Sequence, residues 1–225
     1  MEEFASEIKT MLNVDTVFTI GGVEIFESVV VSWIVMAVML IFTFVMTRDL
    51  KVENPSKRQV FVEYVVTSLQ NIVKGIIGEE GSQYVQYLAT VLVFIGLSNI
   101  IGLFGFKSPT KDLNVTAAMA IMSIILIEAA GIKAKGTKKW LKSFTEPVAI
   151  VTPINILEVF IRPLSLCMRL FGNVLGAFVI MELIKMVVPA VIPAVFSLYF
   201  DIFDGLIQAY VFVFLTGLFI KEAIE

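Results

Sequence analysis

The sequence has 225 residues, 58% of them hydrophobic and only 16% charged, with a mean hydropathy of +0.91. A water-soluble domain carries roughly 25% charged residues, and an aqueous core of this size cannot hide so much apolar surface, so the bilayer is the solvent. The net charge of −3 points to no partner, the single cysteine (Cys167) excludes an intramolecular disulfide, and the lack of histidine excludes a His-based metal site or proton relay.

The first fifteen residues, MEEFASEIKTMLNVD, are acidic and lack the basic region of a secretory signal. They read as a short extramembrane helix or tail within an extramembrane segment over 1–27. Residues 28–46 are apolar and long enough to cross a hydrocarbon core of roughly 30 Å. Arg48, Lys51 and an Asn54-Pro55 turn close that span. From 59 to 78 the pattern changes: Phe61, Val62, Val65, Val66, Leu69, Ile72, Val73 and Ile76 recur at helical spacing, with Glu63, Gln70, Asn71 and Lys74 between them. That is an amphipathic helix, lying at the interface or packed on the bundle.

Residues 81–106 carry no charge and form the second span, interrupted by Ser98 and Asn99; a third runs from about 113 to 132. A lysine cluster follows (Lys133, Lys135, Lys138, Lys139 and Lys142), with Trp140 as an interfacial anchor. Between 147 and 188 the chain is mostly apolar and helical yet carries Glu158, Arg162, Arg169, Glu182 and Lys185. As one helix it would be about 60 Å long, twice the core thickness, so it leans almost into the membrane plane or breaks near Pro163. Pro189 and Pro193 mark a turn, and 194–220 forms the final helix. The expected fold is an all-α polytopic bundle in a single membrane domain. Three spans and the amphipathic helix occupy 28–132, and a long tilted C-terminal hairpin occupies 147–220. The loops at 48–58 and 133–142 hold four and five of the seventeen basic residues. The positive-inside rule makes their side cytoplasmic, with the N-terminus outside and the C-terminus inside.

The costly charges are the informative ones. Arginine in mid-membrane costs at least ~2.5–3.5 kcal/mol, and Arg169 has apolar sequence on both sides. At 100° per residue, Arg162, Ser165, Arg169, Asn173 and Gly176 share a narrow face, where Gly172 and Gly176 allow close approach. Either Arg169 pairs with a structural carboxylate of the bundle or it is functional. In the last helix Asp201, Asp204 and Gln208 fall at i, i+3 and i+7. That stripe suits proton relay or cation coordination, unless both carboxylates are merely solvated at the helix end. Glu182 either lines a separate aqueous pocket or pairs with Lys185 at i+3. Glu128 is read as snorkelling towards the lysine-rich loop, and Asn99 and Asn114 as interhelical hydrogen-bonders.

The run PLSLCMRLFGN at 163–173 resembles the signature of the a subunit of F-type ATP synthases. NPSKRQ at 54–59, SNIIG at 98–102, PTKDLNVT at 109–116 and IQAYVFVFLT at 207–216 match in the family's order. The resemblance implies a non-catalytic stator subunit of the Fo sector, forming two ion half-channels against a c-ring and coupling H+ (or Na+) passage to rotary ATP synthesis or hydrolysis. It implies a bacterial-type plasma membrane location. The implied partners are the c-ring, a peripheral-stalk b subunit, the F1 head and lipid, with no cofactor and no nucleic acid. Arg169 would face the c-ring carboxylate, with Asn173 and Gln208 near it, Ser165 lining the cytoplasmic-side channel, and Glu182, Asp201 and Asp204 on the ion-uptake side; Asn99, Glu158 and Asn114 are weaker candidates. Two departures stand out. The family's glutamate nine residues after the arginine is Phe178 here, and its ionisable residue seven before the glutamine is Asp201. A small carrier with inverted repeats, or a non-transporting anchor, fits less well. The first needs broken helices in both halves, and the second has no reason to keep Arg169 in lipid.

Overall fold

In the computed structural model, the described residues are 16–20, 22–48, 50–104, 106–145, 149–187 and 196–225, so the predicted tail over 1–15 lies outside them. Two short strands, β1 (Thr16–Ile20) and β2 (Val23–Phe26), pair antiparallel ahead of the first helix. This hairpin is an element the sequence reading lacked. Among the described residues seven α-helices follow: α1 (Glu27–Thr47), α2 (Lys57–Ile77), α3 (Val85–Ile100), α4 (Leu113–Lys135), the short α5 (Thr137–Ser143), α6 (Thr152–Val187) and α7 (Gly205–Ile224). Among the described residues six helical segments are long and apolar enough to cross a membrane. The chain is a polytopic all-α membrane protein.

Local chemistry sets the helix limits. The Ser56 hydroxyl accepts from the Gln59 N–H at 3.3 Å and starts α2, which ends at Gly78 with φ +80. Asp112 caps α4 through the Asn114 N–H at 2.9 Å, and Gly136, with φ +77, ends it. The helix read as amphipathic is among the six by length and composition. It buries Val73 and Ile77, while Phe61 and Tyr64 stay exposed.

A core of Val73, Ile77, Leu88, Ile95, Ile127, Leu166, Leu170, Val213 and Ile220 joins α2, α3, α4, α6 and α7. The outer surface is apolar as well, with Leu40 71% and Phe44 72% exposed on α1, as expected where lipid replaces water. Contacts define two ends of the bundle. At one, Lys133 Nζ donates to Gln83 Oε1 at 2.7 Å, Gly131 packs on Ala223 and Trp140, and Arg162 pairs with Glu222. At the other, Ser28 donates to Asp112, Lys107 pairs with Glu27 at 3.0 Å, and Asn99 meets Gly205.

The helix α6 runs 36 residues without interruption and contains Pro163, which decides between the two sequence alternatives: there is no break. Its length is about 54 Å, so within a core of roughly 30 Å it must lean steeply or project. Before α7 the chain forms a π-helical segment, Leu198–Asp204. The backbone of Asp201 and Asp204 lies in this segment, whose winding is wider than that of an α-helix. Where the π segment gives way to α7, Gly205 lies against α3. A Cβ there would sit 2.8 Å from Asn99 Cβ. Gly205→Ala should therefore push α7 from α3 and cost about 1–3 kcal/mol, read as a lower midpoint of thermal unfolding in detergent.

Candidate functional site

The buried side of α6 is Leu166, Cys167 and Leu170, with Cys167 Sγ 3.6 Å from Thr116 Oγ1 of α4. This packing fixes the rotation of the helix and turns Ser165, Met168, Arg169, Gly172 and Asn173 outward, where all five are exposed. Among the described residues no carboxylate pairs with Arg169, so the structural ion pair weighed from sequence is not made by them. A Cβ added at Gly172 or Gly176 would meet nothing within 4 Å. The strip around Arg169 is thus an open, shallow face.

One turn beyond Arg169, Asn173 Nδ2 donates to Gln208 Oε1 at 2.7 Å, joining α6 to α7. Gln208 is only 3% exposed, and its Nε2 has no hydrogen-bond partner among the described residues. The two amides that the resemblance put near Arg169 therefore meet each other.

Arg162 shares the predicted stripe but has a different fate. Its guanidinium donates to Glu158 Oε1 at 2.9 Å and to Glu222 Oε1 at 3.0 Å, with its Cζ 4.8 Å from the centre of the Phe219 ring. This cluster lines a cleft of about 260 Å3 with Glu128, Lys135, Trp140 and Asn155. Glu128, expected to reach towards the lysine-rich loop, accepts there from Trp140 Nε1 at 2.9 Å.

At the opposite end Asn99 is more than an isolated interhelical bond. Its Nδ2 donates to Gly205 O at 2.9 Å, and its Oδ1 accepts from Thr110 Oγ1 at 2.6 Å. Thr110 in turn lies 2.7 Å from Ser108 Oγ, which donates to Ser98 O at 2.8 Å. This buried chain of hydroxyls and amides reaches the residue next to Asp204, which is half-buried. Asn114 contributes only its backbone N–H, and its side chain is exposed. The side chains of Glu182, Lys185 and Asp201 lie outside the described residues. Sequence reasoning missed Asp112, buried and bonded by Ser28, and Lys111, whose ammonium lies over the ring of Phe178. The signal for Asp112 was its position as a cap before an apolar run.

Asn173→Ala would strand the buried Gln208 amide and should cost about 1–3 kcal/mol. Adding Gln208→Leu should restore most of that loss, as measured by the unfolding midpoints of the two variants.

The family model described as ATP synthase A chain matches residues 29–221. The chain is 34% identical over 210 residues to the ATP synthase subunit a of Moorella thermoacetica, covering 93% of this chain and 95% of that protein. It is 32% identical over 209 residues to the ATP synthase subunit a of Legionella pneumophila strain Philadelphia 1, covering 92% of this chain and 90% of that one. A Bradyrhizobium protein, ATP synthase subunit a 2, is 32% identical over 208 residues, 92% of each chain. With most of its length matched both by the family and by relatives covered over nine-tenths of their own length, this multi-pass membrane protein belongs to the ATP synthase A chain family and is a component of an ATP synthase complex.

Proposed function

We propose that the chain is the non-catalytic stationary wall of the rotary ion path, with Arg169 facing a carboxylate carried by a moving c-ring. The observation that carries this reading is the outward Arg169, exposed on a membrane helix, without a carboxylate partner among the described residues. A guanidinium stays charged at any physiological pH. Leaving it unpaired in hydrocarbon costs several kcal/mol, so its stability calls for an anion from outside the chain. The open strip at Gly172 and Gly176 supports close approach by that partner.

The chemistry follows from charge. A ring carboxylate can cross lipid only when neutralised by a bound ion. Next to Arg169 its charged form is favoured by about 4 kcal/mol at 4 Å and an effective dielectric of 20, which releases the ion. The same fixed cation repels any ion taking the short route between the two access paths. Ser165, two turns of helix from Glu158, leads from Arg169 towards the cleft of Glu158, Arg162 and Glu222, which suits the release side. The hydroxyl–amide chain ending at Gly205 suits the uptake side, with Asp204 beside it and Asp201 and Glu182 as further carriers. Asn173 and Gln208 hold the two helices of the hairpin in register between these paths. Each ion crossing 100 mV supplies about 2.3 kcal/mol, so several pass per ATP.

The orientation we infer, in a bacterial-type plasma membrane, has the lysine-rich end and the C-terminus in the cytoplasm and the N-terminus outside. Support comes from the contacts of Lys133 with Gln83 and of Gly217 with Ile76 and Ile77, which gather the end of α2 at the lysine-rich end. An α2 that lies along that end keeps the basic loops at 48–58 and 133–142 on one side. The c-ring, a peripheral-stalk b subunit and the F1 head are the partners this function requires.

Arg169→Ala should abolish gradient-driven ATP synthesis in membrane vesicles while the subunit remains inserted; synthesis that persists sinks the assignment. Asp204→Asn and Asp201→Asn should each slow ion uptake several-fold, measured as the rate of passive flux through vesicles stripped of the soluble head. Dependence of ATP hydrolysis on added Na+ separates the two ion choices, and its absence assigns H+.

A further inference from the structure

Of the lysine cluster at 133–142, Lys138, Lys139 and Lys142 have no part in the path described above. Its geometry is specific. Gly136, with φ +77, turns the chain sharply out of α4 and into α5. Trp140 then ties α5 down across the end of α4: its Nε1 donates to Glu128 at 2.9 Å and its ring meets Phe144 edge-on at 5.0 Å. Ser143 Oγ donates back to Trp140 O at 2.6 Å, so the anchored side of α5 is Trp140, Ser143 and Phe144.

With that side fixed, helical spacing directs Lys138, Leu141 and Lys142 the other way, at i, i+3 and i+4. All three are exposed, as is Lys139 beside them, and Leu141 is 65% exposed. A leucine held out between lysines is poorly matched to water alone. It is well matched to the boundary where acyl chains meet phosphates: the leucine enters the acyl region and the ammonium groups reach the headgroups. The position agrees, because α5 begins two residues after the end of a membrane-crossing helix. The charge is complementary to one surface in particular, since each lysine near an anionic leaflet is attracted by about 1 kcal/mol, whereas a zwitterionic leaflet offers no net charge.

We propose that the outward face of α5, formed by Lys138, Lys139, Leu141 and Lys142, is a docking surface for anionic phospholipid headgroups. It holds bound lipid at the lysine-rich end of the bundle, next to the cleft of Glu128, Arg162 and Glu222. This inference rests on the membrane fold and not on the role of Arg169, so either can fail without the other.

The test uses the intact complex reconstituted in phosphatidylcholine vesicles containing a minority of phosphatidylglycerol. Trace photoactivatable forms of each lipid are included, with labelled peptides identified by mass spectrometry. In the natural chain, α5 should be labelled by phosphatidylglycerol well beyond its share of the bilayer. The preference should fall by about an order of magnitude in Lys138→Gln/Lys139→Gln, two attractions of about fivefold each being partly shared with neighbouring lysines. It should survive in Lys138→Arg/Lys139→Arg. Labelling of the exposed apolar residues of α1 reports that each variant is inserted and assembled. Added soluble glycerophosphate should not displace the label, since a headgroup without chains lacks the contact with Leu141. Equal preference in the glutamine variant overturns the proposal, as does protection of α5 from lipid by an acidic segment of another subunit.

Discussion

A guanidinium that cannot give up its charge, fixed on the outside of an apolar helix, is the constraint to which the rest of this molecule answers. Water is the usual remedy for such a group, and the bilayer withholds it. The remaining remedy is an anion at close range. Among the described residues of the chain none is supplied to Arg169, a problem that an acidic partner answers in the function we propose. A static structural pair would solve it without function. The open strip at Gly172 and Gly176 fits the moving partner we propose instead.

The two arginines of α6 make the contrast clear. Arg162 and Arg169 are two turns apart on one stripe, with the same chemistry available to each. Arg162 is enclosed by Glu158, Glu222 and the face of Phe219, and its side chain is 14% exposed. The charge of Arg162 is answered from within the chain, and its bond to Glu222 makes it a clamp between α6 and the end of α7. Arg169 faces away from the packed residues Leu166, Cys167 and Leu170 and receives no such answer. The clamp and the Asn173–Gln208 bond fix the two helices at two heights, which holds the exposed arginine in a defined position.

Polar groups inside the bundle are otherwise joined into chains. Ser108, Thr110, Asn99 and Gly205 O form one such chain at the end away from the lysines. In a low-dielectric interior each of these bonds is worth more than it would be in water, and each missing partner costs more. The close approach of Gly205 to Asn99 makes the chain possible, and it coincides with the change from π-helical to α-helical winding at residue 205. The irregular winding is therefore held from outside by α3.

Composition, apolar runs and loop charges were enough to establish a membrane bundle, its helices and the cost of Arg169, because hydrocarbon imposes those rules residue by residue. The family was legible too, since the run at 163–173 is contiguous. What depended on distant neighbours was not. The unbroken course of α6 through Pro163, the π-helical winding of Leu198–Asp204, the capture of Glu128 by Trp140 and the closing of Arg162 by Glu222 all require knowing what packs against what. Arg162 and Glu222 are sixty residues apart, and Asn99 and Gly205 over a hundred; no local periodicity encodes such meetings. The sequence by itself determined that a charge must be placed in the membrane. Only the tertiary packing decided which arginine is satisfied within the chain and which faces out, because helix rotation is set by the buried side chains opposite.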